Sequence, residues 1–194
     1  MTPATPASKT LANNTMKTRG TYLTLRRTLA GLEAGVLGAL LMMVWSMAGS
    51  LWSRRSIWAI PNLYATTFYG SRAYTNQFLR SSWSGMALML AICGAGGIVW
   101  GLLGGTNGKA EGRRFPTLWG AMAGLMVYYL FFSVIWRHAN PLIPIYAPEP
   151  EMQIGYVIWG IALARSPIYF RRMATSVFES PQDAEAIRAD AVNP

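Results

Sequence analysis

Charged side chains are scarce in this sequence. They make up 13% of its 194 residues, about half the ~25% of a soluble domain. Acids are the scarcer sign, eight against seventeen Lys and Arg. That is too little charge to cover an ordinary water-facing surface. The basic excess does not signal nucleic acid, because most Lys and Arg flank apolar runs instead of gathering on one face.

Cysteine and histidine are nearly absent. The single Cys93 excludes an intrachain disulfide and reads as a small buried apolar side chain. The single His138 excludes a bis-histidine haem within one chain and any paired-histidine metal motif. His138, Glu149 and Glu151 share one connection, but three loosely spaced ligands read as solvated loop residues. No Ser-His-Asp set and no phosphate-binding loop occurs. The expectation is a non-enzymatic protein with no cofactor and no metal.

Apolar sequence is what remains, 52% of residues, in four runs at about 29–52, 85–103, 117–136 and 152–170. Some twenty helical residues cross a hydrocarbon core of ~30 Å. The fold expected is therefore an all-α integral membrane protein with four transmembrane helices. The fourth run is clean only to Ala164. It reaches full length if Arg165 snorkels or pairs and the helix continues through Pro167 to Phe170. Small residues recur at four-residue spacing in the runs: Gly31, Gly35 and Ala39, then Gly97 and Gly101, Gly120 and Gly124, and Gly160 before Ala164. Such stripes let helix backbones approach closely in lipid.

The flanks read differently. Residues 1–28 are basic and hydroxylated with no acid, and read as a flexible cytoplasmic tail. Residues 171–194 read as a polar cytoplasmic tail whose short helix starts near Ser180-Pro181. The connection 53–84 carries four Arg and seven aromatics, with Tyr64/Phe68 and Tyr74/Phe78 at i,i+4 spacing. It reads as two short interfacial helices, or alternatively as a re-entrant loop broken at Pro61. Pro141, Pro144, Pro148 and Pro150 predict a rigid, extended outer loop.

Two stretches resemble each other, Ile60-Pro61-Asn62-Leu63-Tyr64-Ala65 and Ile143-Pro144-Ile145-Tyr146-Ala147. Ile60 to Ile143 is a step of 83 residues, and Gly38-Ala39 to Gly120-Ala121 a step of 82. A parallel 2+2 repeat, with its axis along the membrane normal, would give this pattern. Symmetric packing would bring Pro61, Asn62, Tyr64, Asn140, Pro144 and Tyr146 together as a shallow outer pocket. Plain interfacial anchoring by the tyrosines is the other reading.

Counting Lys and Arg puts twelve on the side of both termini and five on the other, so both termini are expected in the cytoplasm of a bacterial plasma (inner) membrane. Glu33 is the only acid inside an apolar run. Arg165 lies at a similar shallow depth, and an intramembrane ion pair between the two would lower the cost of both charges. The function expected is a small subunit or scaffold that associates through its helices, with the bilayer, other membrane proteins or further copies as partners. A small transporter or lipid-handling protein using the outer pocket is the alternative.

Overall fold

The computed structural model describes residues 6–105 and 116–178, with side chains over 22–103 and 116–172. Among the described residues every regular element is a helix. Helix α1 runs Pro6–Trp52, α2 Ala59–Tyr69 and α3 Arg80–Trp100, which continues as a π turn, Gly101–Gly105. Helix α4, Pro116–Leu130, continues through a second π turn, Phe131–Ile135, into the short α5, Trp136–Ala139. Three stretches are long and apolar enough to cross a membrane: Tyr22–Trp52, Arg80–Leu103 and Pro116–Ala139.

The fourth expected span is not one helix. It is α7, Glu149–Ala164, followed after a turn at Arg165 by α8, Ser166–Phe178. Pro167 accounts for the break, because it has no N–H to give and its ring crowds the preceding turn. The sixteen residues of α7 rise only ~24 Å, short of a ~30 Å core. At the other terminus, α1 begins at Pro6 and not at Leu29. Proline suits a first helical position, where an N–H would have no partner. The proposed helix near Ser180 lies outside the described residues.

Helix α1 lies between α3 and α7, and α4 packs on the far side of α7. Two of these contacts share one geometry. At the α1·α3 crossing, a Cβ on Gly97 would overlap the Gly31 carbonyl oxygen and reach the Cα of Gly35 at 2.8 Å. At the α4·α7 crossing, a Cβ on Gly160 would overlap the Gly120 carbonyl oxygen and reach the Cα of Gly124 at 2.9 Å. The predicted glycine stripes are thus used inside the chain. The matching positions step by 89 residues in the first helices (31 to 120, 35 to 124) and by 63 in the second (97 to 160). The packing therefore pairs Gly120 with Gly31, and not with Gly38 as the step of 82 implies.

The connection between α1 and α3 is partly buried in the bundle and partly exposed. All eight residues from Ala59 to Thr66 are buried, while 53–55, 67–72 and 76–80 are exposed. Pro61 stands in the first turn of α2, where no N–H is missed. Its carbonyl oxygen sits directly on Gly85 of α3, where a side chain would overlap it. Pro144 likewise stands in the first turn of a short helix, α6 (Leu142–Tyr146), and Pro150 in the first turn of α7. This proline-rich segment is helical for the same reason that prolines begin helices, and the extended loop is not formed.

From α4 through the π turn to α5 the buried positions are Gly120, Gly124, Tyr128, Phe132 and Trp136. An ideal α-helix over-rotates by about 40° at each four-residue step. The π turn at Phe131–Ile135 unwinds that drift and keeps Phe132 and Trp136 on the face toward α7.

Candidate functional site

The residues expected to line an outer pocket are brought near one another, but their polar groups are already in use. Asn62 is fully buried. Its amide donates to the carbonyls of Thr75 (2.7 Å) and Gln77 (2.9 Å), and its oxygen accepts from Ser82 Oγ at 2.5 Å. These bonds fasten the segment before α3 onto α2. Asn140 Nδ2 donates to Thr66 Oγ1 (2.7 Å) and Thr67 Oγ1 (3.0 Å), and its oxygen accepts from Leu142 N–H at the start of α6. The two turns are joined by these contacts. Tyr64 is buried edge-on against Trp136, with centroids 5.5 Å apart, while Tyr146 is exposed beside Tyr74. Pro61 is buried in α2 and Pro144 is partly exposed.

Glu33 and Arg165 stand at one level, because Gly38 meets Ala162 and Arg26 reaches Phe170. Among the described residues, however, no ion pair or hydrogen bond joins them. Glu33 is partly buried and Arg165 exposed. Arg26 does join the two ends: it donates to the Phe170 carbonyl at 3.1 Å and lies 4.6 Å from that ring's centre. Both terminal helices therefore meet at one end of the bundle. At the opposite end Glu151 accepts a hydrogen bond from Ser53 Oγ, and its own carbonyl accepts one from Trp45 Nε1 at 3.0 Å. No cluster of three metal-ligating residues occurs among the described residues.

A sizeable opening lies elsewhere, between α3 and α4, with α7 as its floor. It measures about 480 Å³. Ile92, Gly96, Val99 and Leu103 form one wall, and Ala123, Val127 and Phe131 the other. Trp159 and Leu163 lie in the floor beside Tyr156. The polar atoms nearby are withdrawn. Tyr156 is 2% exposed and Cys93 4%. The Trp159 N–H is bonded to the Gly35 carbonyl at 3.2 Å. Its indole spans from α1 to α3, since a Cβ on Gly38 would lie 2.8 Å, and one on Gly96 2.9 Å, from its ring. Such walls present hydrocarbon to whatever enters the cleft.

The expected site residues did not include this cleft. One sequence signal was present, the doublet Gly96-Gly97. Gly97 meets α1, which leaves Gly96 facing the cleft. The chain matches no protein-family model, no curated protein and no solved structure.

Proposed function

We propose that this chain is an integral membrane protein that holds an apolar ligand in the cleft between α3 and α4. In this reading three helices cross the bilayer, α2 enters and returns as a re-entrant helix, and α7 with α8 completes the bundle. Large apolar side chains are well exposed along the long helices, among them Val44 (66%), Leu103 (81%) and Met126 (76%). Surfaces of that kind favour a lipid surround. The wide basic excess at the end where α1 and α8 meet favours a cytoplasmic position for both termini.

The observation that carries the ligand reading is the cleft, whose volume falls within the ~300–1,000 Å³ of small-molecule sites. The glycine stripes, which would otherwise argue for a subunit joining other helices, are occupied within the chain. A scaffold remains the second reading, favoured by the exposed outer face of α4, with Leu118, Met122 and Met126.

The test uses the full chain purified in detergent and an apolar fluorophore that brightens in dry surroundings. Saturable binding to the wild type, weakened at least tenfold by Ala123→Phe, is the expected result. Equal binding by both proteins would remove the cleft from consideration. A particle mass well above one chain would favour the scaffold.

A further inference from the structure

We infer that the cleft holds one acyl chain of a membrane phospholipid, admitted sideways between α3 and α4, with the lipid phosphate at the arginine end of the bundle. The inference rests on the membrane-cleft reading above and names its ligand.

The cleft is open where the matching seam is shut. The seam between α1 and α7 is closed: Gly38 lies under Trp159, and Gly155 lies under Met42. The register steps at the two glycine crossings locate the counterparts of these residues in the α3·α4 seam. Gly38 corresponds to Val127 (38 to 127), Gly155 to Ile92 and Trp159 to Gly96 (155 to 92, 159 to 96). All three counterparts line the cleft. Bulky side chains stand where close approach needs glycine, and glycine stands where an indole fills the other seam. The opening is thus written into the sequence at three positions.

Protein interiors tolerate few voids larger than a water molecule, and water needs two or more polar partners. The walls offer at most one, the unpartnered but buried indole N–H of Trp100, because Trp159 Nε1 is bonded and Tyr156 and Cys93 are buried. A ligand placing a polar group here loses its hydration without return, whereas a hydrocarbon loses nothing. From Ile92 to Leu103 the α3 wall extends about 16 Å along the helix axis. A volume of 480 Å³ over that length leaves a slot for a single extended chain.

The Leu103 end of the slot follows Gly101, which closes on the backbone carbonyl of Arg27. Arg26 and Arg27 each keep a buried Nε without a hydrogen-bond partner among the described residues. The backbone of Arg27, next to the Arg26 that holds α8, therefore stands at the level where an acyl chain leaving the slot joins its headgroup, and guanidinium is suited to phosphate oxygens.

The experiment reconstitutes the full chain in phosphatidylglycerol vesicles carrying a trace lipid with a diazirine at mid-chain. After irradiation, cross-linked residues are mapped by mass spectrometry. Cross-links at Val99, Ala123 and Val127 should exceed those at the outward Met122 and Met126 by at least fivefold. Ala123→Phe should abolish the excess while outward labelling stays, and Ala95→Phe, from the other wall, serves if the first variant does not fold. Replacing the probe by a diazirine diacylglycerol, which lacks phosphate, should reduce the excess at least threefold. Outward labelling without an excess in the slot would overturn the acyl-chain inference and leave the membrane reading standing. An excess equal for both probes would overturn the phosphate assignment. Failure of the chain to enter vesicles at all would sink the membrane reading itself.

Discussion

Single residues hold the irregular points of this fold. Arg54 has φ 53°, a left-handed conformation at the end of α1. The N–H of Arg55 returns to the Ser50 carbonyl at 2.7 Å and that of Arg54 to Leu51 at 3.1 Å, the double bond of a Schellman cap. Glycine is the usual residue there. Arg54→Gly should raise stability by about 1 kcal/mol, read as a higher melting temperature in detergent. An unchanged or lower value would mean that the Arg54 side chain contributes more than its backbone costs. Asn62 is the converse case. Asn62→Leu removes the amide donor from the Thr75 and Gln77 carbonyls and the acceptor from buried Ser82, and should cost roughly 1–3 kcal/mol. Asn62→Asp should be no milder, because it sets a carboxylate oxygen against those same carbonyls. For Glu33 and Arg165 the absence of a bond has a direct consequence. In a double-mutant cycle with Glu33→Gln and Arg165→Gln, the two effects should add within about 0.5 kcal/mol. A larger coupling would show that the pair forms in lipid.

At the scale of elements, the glycine crossings are the steepest dependence. Gly97→Ala forces a methyl into the Gly31 backbone and should cost ~2 kcal/mol or more, measured by loss of folded yield and thermal stability. Leucine there should prevent folding. These stripes were legible in the sequence because a smooth helix face depends only on residue size at i and i+4. The three long helices were legible from length and apolarity. The burial of α2 was not, because an interfacial helix and a re-entrant one draw on the same aromatics and differ only in what surrounds them. Pro61 and Pro144 misled for a similar reason: a proline breaks a helix or begins one, and which of the two it does depends on where the first turn falls. The stop at Arg165 was half visible in Pro167, but whether the helix bends or ends is decided by packing of α8 on α1. The cleft was hidden most fully, since a void has no residue of its own. It emerges only once two seams are compared position by position.

For the whole molecule, the contact between Arg26 and Phe170 fixes both terminal helices at one end. Reporter fusions at the two termini should therefore give the same side in any cell, and fusions at Arg72 and Asn140 the opposite one. Signals from opposite faces at the two termini would break the bundle as drawn here. The same architecture bears on how the chain is made. A ribosome delivers the N-terminal segments first. The Gly31·Gly97 crossing can form when about half the chain has emerged, but the other face of α1, at Gly38, waits for Trp159. Until that indole arrives, a glycine-lined flank of α1 stands bare in the nascent protein. The interval between the two events is the period in which a chaperone or a wrong helix can take the place of α7, and the closing of Trp159 across α1 and α3 is the step that ends it.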